Sequence, residues 1–396
     1  MNKDTEIKLI KHCLSLCNNN TTKMADSEST SPVERYINQE QFEQEQEKIF
    51  RRKPVPYAHS SQVSDPNSFI TLDSPLGALL ITRDEEGIPH AFYNVCRHRG
   101  TKLVKEGQGC AKRFRCAYHA WTYTTKGDLS SVPHGESCFP SLEREKLGLK
   151  ELPCVERHGF IWVFPVVSSS DIASDESTNK ESIEKELDHY LLDIEEDISW
   201  LTMDKLEVFT STKKVWNTNW KIIAEGGLET YHFRFAHKNT IAPYFMDNVS
   251  TYDQMGAHFR TILPRSTIKD LENIPEDDWL IRNHSHITYA LFPQTTFLVQ
   301  HEHVDWVHAN PIAPDRTEIT IFSLVPKQDK AWTEEEKKLW QLNHDITNTT
   351  LDEDFEMAES IQLGLKSGAN KELNFGLNEG ALAIFNKVVD DACAEP

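Results

Sequence analysis

The sequence predicts an α+β chain of two units: a small all-β unit, then a larger one in which strands are grouped together with helices packed against them. Three observations predict it. Between residues 55 and 167 the chain runs as short β-prone stretches broken by turn residues, a Ser-rich polar stretch follows, and helices and strands of ordinary length fill the remainder. At 396 residues the chain is also longer than one typical domain.

The elements follow in order. Residues 1–31 form a polar leader expected to be disordered; its Cys13 and Cys17 are assigned no role. Over residues 32–54, Ile37, Phe42, Ile49 and Phe50 recur loosely at helical period among charges, which predicts an amphipathic helix packing on the larger unit. "SFITLDSPLGALLITRDEEGIPHAFYNVC" (68–96) reads as strands joined by Ser-Pro-Leu-Gly and Asp-Glu-Glu-Gly turns, and "GFIWVFPVV" (159–167) as another strand. Residues 168–182 read as a linker or surface excursion. The second unit, 183–396, should contain a helix over Ile183–Ile198, a strand near Leu206–Thr210, and a helix-like stretch at 219–237. Several strands should come next, then a long helix opened by a Thr333-x-x-Glu336 capping box.

Composition narrows the function classes. Asp plus Glu number 62 against 42 Lys plus Arg, a net charge of −20 that opposes broad contact with nucleic acid or anionic membrane. No run of 18 apolar residues and no secretory signal is read, so a cytoplasmic protein is expected. Eight scattered cysteines read as reduced thiols rather than a disulfide framework.

The first candidate site is "CRHRGTKLVKEGQGCAKRFRCAYH" (96–119). Cys96-x-His98 and Cys116-x2-His119 are two chelating pairs on separate loops, seventeen residues apart. Each loop fixes two ligands locally, and the sheet fixes the loops relative to each other. Two cofactors fit that pattern: zinc bound tetrahedrally by Cys2His2, or a [2Fe-2S] cluster with two Cys on one iron and two His on the other. Cys110 has no His two residues on and is read as a bystander.

The second candidate site is "NWKIIAEGGLETYHFRFAHK" (219–238), with Glu225, Glu229, His232 and His237. Residues five apart lie about 140° apart on an ideal helix, so His232 and His237 meet one ion only if the helix bends or ends there. Gly226 and Gly227 make such a break inexpensive. A two-His site needs a carboxylate to complete a facial triad with open positions on iron.

Both stretches resemble the Rieske-type non-haem iron oxygenases, in their large (alpha) subunit. Arg97-His98-Arg99-Gly100 and Cys116-Ala117-Tyr118-His119-Ala120-Trp121 match the family's two cluster loops, and Asn-Trp-Lys followed by carboxylate-x2-His-x4-His matches its catalytic domain. Electron-transfer Rieske proteins carry an extra cysteine in each loop; Thr101 and Tyr118 stand there, which favours the oxygenase branch. The resemblance implies a Rieske [2Fe-2S] cluster on Cys96, His98, Cys116 and His119, and a helix-grip-like catalytic domain, an antiparallel sheet covered by helices. It further implies a mononuclear non-haem Fe(II) on His232, His237 and a downstream carboxylate in "DEDFEMAESIQLGL" (352–365). Asp354 is the matching position there, with Asp352, Glu353 and Glu356 as alternatives. Imidazole ligation would place the cluster at about −150 to +300 mV, against about −400 mV for an all-Cys plant-type cluster.

In the family, the carboxylate at the place of Glu229 links the two centres, so the resemblance implies electrons passing by way of His119 and Glu229 between chains of a homotrimer. Most aromatic-ring dioxygenases have Asp there, and Glu occurs in relatives that oxidise trimethylammonium compounds. The implied activity is oxidation of a small organic substrate with O2, with a quaternary amine favoured over ring dihydroxylation of an aromatic. No dinucleotide fingerprint is present, so a separate NAD(P)H-dependent reductase is expected. The contrasting class is a non-catalytic electron carrier or a zinc-binding protein. Asn219 is expected near the iron, Trp220 and Lys221 in packing, and His284, His286, His301, His303 and His308 in packing or hydrogen bonding rather than ligation.

Overall fold

The computed structural model describes residues 1–105, 107–165 and 176–395. They form two compact units: Phe50–Leu191 with Thr202–Glu207, and Met1–Ile49 with Leu192–Leu201 and Val208–Pro396.

The smaller unit holds three antiparallel sheets. Its five-stranded sheet runs in the order Glu151–Leu152, Pro89–Tyr93, Gly77–Arg83, Ser68–Ser74, Gln108–Cys110. The Ser-Pro-Leu-Gly turn joins two of these strands with Ser74 opposite Gly77, whose φ of 111° suits glycine. Cys154–Arg157, Phe160–Val163 and Val55–His59 form a second sheet. The third contains Arg113–Arg115, Thr122–Thr124 and Leu129–Ser131, and its Phe114 and Tyr123 pack with Phe92 and Trp121 beneath Cys96 and Cys116. Both thiols therefore rest on an apolar floor.

The expected linker lies outside the described residues over 168–175. Its remainder opens a helix, Glu176–Leu191, that belongs to the β unit and not to the unit after it. Ile183, Leu187 and Leu191, four residues apart, form its buried stripe. The second unit thus takes up the chain at Leu192 rather than at residue 183.

The larger unit is built on a seven-stranded antiparallel sheet. Its strands are β1 (Leu206–Trp216), β2 (Thr251–Met255), β3 (His258–Pro264), β4 (Ser285–Leu291), β5 (Thr295–Val299), β6 (Val304–Ala313) and β7 (Arg316–Pro326), in the order β1-β7-β6-β5-β4-β3-β2. Five helices matter below: α1 (Lys3–Asn19), α2 (Trp220–Gly226), α3 (Phe233–Ala236), α4 (Glu334–Lys366) and α5 (Gly380–Ala394). The 33-residue α4 opens on the reciprocal Thr333–Glu336 capping box.

Two expectations are corrected here. Residues 1–31 are not a disordered leader: α1 buries Ile10, Cys13, Leu14 and Cys17, which repeat at i, i+3, i+4 and i+7, against the segments Ser266–Asn273 and Ile281–His284. Residues 32–54 are not one helix either. Asn38 is extended (φ −80°, ψ 130°) and its side chain caps Gln41 N at 2.9 Å, splitting the stretch into Glu34–Ile37 and Gln39–Glu45 before a turn of π-helix.

Candidate metal centres

The two cluster loops have the same backbone closure. Cys96 O accepts from Gly100 N at 3.0 Å and Cys96 N donates to Thr101 O at 2.9 Å; Cys116 O accepts from Ala120 N at 2.9 Å and Cys116 N donates to Trp121 O at 2.8 Å. The fifth residue of each turn is left-handed, Gly100 at φ 76° and Ala120 at φ 58°. The side chains sort into a thiol pair and an imidazole pair. Cys96 and Cys116 are buried, and burial raises the Cys96 thiol, as does the neighbouring Cys116. The His98 and His119 rings stand 4.6 Å apart between centroids. His98 stacks on Trp121 at 4.8 Å, whereas His119 is exposed beside Tyr118. This division suits a diiron cluster with two thiolates on one iron and two imidazoles on the other. Cys110 lies exposed on an edge strand, apart from the pair.

Tyr123 adds a contact that spacing did not reveal. Its hydroxyl accepts from Arg97 N at 3.0 Å and lies 3.4 Å from Cys96 Sγ, so its own proton is free to point at the sulfur.

In the larger unit the i, i+5 problem is solved by ending the helix. α2 stops at Gly226, and a new single turn, α3, begins after His232 and ends before His237, so the two histidines flank it as its caps. Asp354 reaches them from α4. His232 Nε2 and His237 Nε2 lie 3.3 and 2.9 Å from Asp354 Oδ1. Both nitrogens are buried without a hydrogen bond of acceptable geometry. These three residues are the group among the described residues whose ligand atoms all lie within 4.8 Å of one another. Buried, unpaired donor atoms that converge in this way fit a metal ion.

The other ring nitrogens are already used. His232 Nδ1 pairs with Glu229 Oε1, and His237 Nδ1 lies 2.8 Å from Glu353 Oε2, which also accepts from Thr240 Oγ1 at 2.7 Å. Each carboxylate fixes a ring and its tautomer with Nε2 turned toward the shared point. Burial opposes charge on His232, but Asp354 and Glu229 outweigh it and push the group up to about 10; His237 is raised too, burial being outweighed there by Asp354 and Glu353. Asp354 moves the other way: burial raises it, yet the two histidines hold it below the usual carboxylate range. A dication there would take the place of the protons the site otherwise retains.

The remaining expected residues fall as follows. Glu353 is a partner of His237 rather than a ligand, and Asp352 pairs with Lys214 at 2.6 Å. Asn219 is spent on structure: it caps α2 at Lys221 N and donates to Pro314 O. Lys221 is buried in an ion pair with Glu45 at 2.6 Å, and Trp220 Nε1 donates to the same carboxylate. Glu225 is buried away from the triad, accepting from Tyr36 and Asn386. His286, His301 and His303 line a cavity of about 490 Å³ onto which the triad opens, with Phe233, Phe245, Leu263 and Leu298 as apolar wall.

A β unit with paired Cys/His loops, joined in one chain to a sheet-and-helix unit with a two-His, one-Asp site, defines the Rieske non-haem iron oxygenases. Residues 53–153 match the family profile described as the Rieske [2Fe-2S] domain, and residues 203–395 match that of the ring hydroxylating alpha subunit (catalytic domain). The chain belongs to this family. Among individual relatives, it is 26% identical to the carnitine monooxygenase oxygenase subunit of Acinetobacter pittii (strain PHEA-2), over 91% of this chain and 94% of that one. The large oxygenase component of the Ralstonia sp naphthalene 1,2-dioxygenase system is 38% identical over 31% of this chain and 28% of its own length. The chain therefore matches well under half of that dioxygenase relative. In fold, it is similar to a quaternary ammonium Rieske monooxygenase in complex with L-carnitine (TM-score 0.70, 22% identity, 95% of this chain and 97% of that one). It is also similar to naphthalene 1,2-dioxygenase from Rhodococcus sp. bound to indole (TM-score 0.73, 18% identity, 98% and 99%).

Proposed function

We propose that this chain is the oxygenase component of a multi-protein system that takes electrons from a separate NAD(P)H-dependent reductase and uses O2 to oxidise a small organic substrate bearing a quaternary ammonium group. The observation that carries it is the convergence of His232 Nε2, His237 Nε2 and Asp354 Oδ1 on one point at the wall of the large cavity. Cys96, His98, Cys116 and His119 would hold a [2Fe-2S] cluster, and His232, His237 and Asp354 a mononuclear Fe(II). When bound, the first supplies single electrons and the second activates O2 at its open positions.

The chain's own residues prepare that chemistry. Glu229 and Glu353 hold the Nδ1 protons of His232 and His237, and Thr240 steadies Glu353. Phe233 and Phe245, with centroids 5.9 Å apart, exclude water and offer ring faces that attract an ammonium group by cation–π interaction. Glu229 is assigned a second role, linking His232 to His119 of a neighbouring chain in a homotrimer. In support, His119 is exposed, Tyr231 beside Glu229 is 55% exposed, and one solved relative is described in terms of inter-subunit electron transfer. A head-to-tail ring of three closes such a contact by rotation. A cytoplasmic location completes the proposal; no helix among the described residues is long and apolar enough to cross a membrane.

The amine reading draws on Glu at position 229 and on the near full-length similarity to carnitine monooxygenase. Ring dihydroxylation of an aromatic is the second reading, favoured by the higher identity to the naphthalene system over a shorter stretch. Oxygen uptake with a surrogate reductase, screened over trimethylammonium compounds and aromatic acids, separates them. Iron analysis should return about three irons per chain, and a colourless, zinc-rich protein would defeat the oxygenase reading altogether. Glu229→Gln should keep both metals and lose coupled turnover; oxidation at the parental rate would remove Glu229 from the electron path.

A further inference from the structure

Among the residues lining the cavity, Arg265 is the one arginine or lysine. It follows β3 directly, and among the described residues no carboxylate lies within ion-pair distance of it. The acidic groups of the same wall are committed elsewhere or stand in solvent: Glu229 and Asp354 serve the histidines, and Glu302 is 62% exposed. Arg265 Nη2 donates to Gln300 Oε1 at 3.2 Å, whereas its Nε is buried without any hydrogen-bond partner. The guanidinium lies 5.6 Å from the centre of the Phe245 ring, which in turn lies 5.9 Å from that of Phe233. Buried guanidinium donors are ordinarily paired, because leaving one unmet costs more than a neutral orphan does.

We infer that Arg265 receives a carboxylate of the substrate through the Nη donors that its one hydrogen bond to Gln300 leaves unused. The inference rests on the oxygenase reading of the cavity and refines its substrate class to a small molecule with an anionic tail. Two surroundings favour it. His286, beside Arg265, is pushed down to about 4 by burial and by the arginine's charge, so it stays neutral and adds no second charge next to the guanidinium. Phe245, with its ring centre 5.6 Å from the guanidinium carbon, attracts the cation without bringing it a counter-charge, which leaves the charge to a carboxylate ligand.

The test is direct binding to the iron-loaded protein by titration calorimetry, with two matched probe pairs: 4-trimethylammoniobutanoate against butyltrimethylammonium, and benzoate against benzamide. The wild type should prefer the carboxylate in at least one pair by tenfold or more, the effect of one charge-assisted hydrogen bond. Arg265→Gln should erase that preference while binding the uncharged-tail partner as the wild type does, and Arg265→Lys should restore part of it. Iron content and the reduced cluster's EPR signal, compared with wild type, show that the variants fold. A preference seen only in the benzoate pair supports Arg265 while overturning the amine reading. A preference that survives in Arg265→Gln, or no preference in either pair, overturns the inference.

Discussion

Glu353 should govern metal affinity without touching the metal. Its Oε2 accepts from His237 Nδ1 at 2.8 Å and from Thr240 Oγ1 at 2.7 Å, while His237 itself is fully buried. In Glu353→Gln the amide oxygen can still accept both hydrogen bonds, and what is lost is the charge that makes the imidazole a stronger donor to the ion. In Glu353→Ala the acceptor is gone. The ring must then either leave a buried Nδ1–H unmet, at a cost of about 1–3 kcal/mol, or move its proton to Nε2 and cease to be a ligand. Removing such outer partners costs about 10–100-fold in affinity, so the glutamine variant should bind Fe(II) or Co(II) roughly tenfold more weakly and the alanine variant roughly a hundredfold, about 2.8 kcal/mol. Chelator competition measures this, and the cluster's EPR signal serves as an internal reference because it resides in the other unit. An alanine variant with wild-type affinity would refute the assignment of Glu353 as the group that orients His237.

Three further outcomes are expected. Tyr123→Phe removes the hydroxyl 3.4 Å from Cys96 Sγ; a hydrogen bond of about 1 kcal/mol favouring the reduced cluster corresponds to roughly 40 mV for one electron, so the potential measured by redox titration should fall by that order. Glu225, pushed up to about 7 chiefly by burial, binds a proton more tightly folded than unfolded, so its contribution to stability is complete below its ordinary value of 4.5 and is lost as pH rises through about 7. Glu225→Gln should therefore flatten the pH dependence of urea unfolding and stabilise the protein at pH 8 by about 3 kcal/mol; an unchanged slope between pH 5 and 8 would contradict the burial argument. Ile10→Ala, in the fully buried stripe of α1, should destabilise by about 2–4 kcal/mol in the same assay, whereas a dispensable leader would lose nothing.

Much of the site was legible because its chemistry is local. Cys96 with His98, Cys116 with His119, and His232 with His237 each lie within one turn or loop, and that spacing already limits what they can hold. The Thr333–Glu336 capping box was legible for the same reason. Tyr123 was not, and Glu353 was read only as an alternative ligand: the groups they touch, Cys96 and His237, lie 27 and 116 residues away in the chain. The error at α1 had a different cause. The polar content of residues 1–31 outweighed the i, i+3, i+4, i+7 spacing of Ile10, Cys13, Leu14 and Cys17, although that spacing was present all along.

Residue order alone pointed to two units, the paired Cys/His loops, the histidine pair and the need for a distant carboxylate, since each is a matter of residue type and short-range spacing. The family resemblance singled out Asp354, but how each neighbouring carboxylate is used was a tertiary decision. Asp352, Glu353 and Asp354 are neighbours on α4 with the same chemistry, and the packing of that helix sends one to Lys214, one to His237 Nδ1 and one to the shared point between two Nε2 atoms. Successive helical positions are about 100° apart, so the rotation at which α4 settles against its neighbours sets each one's partner.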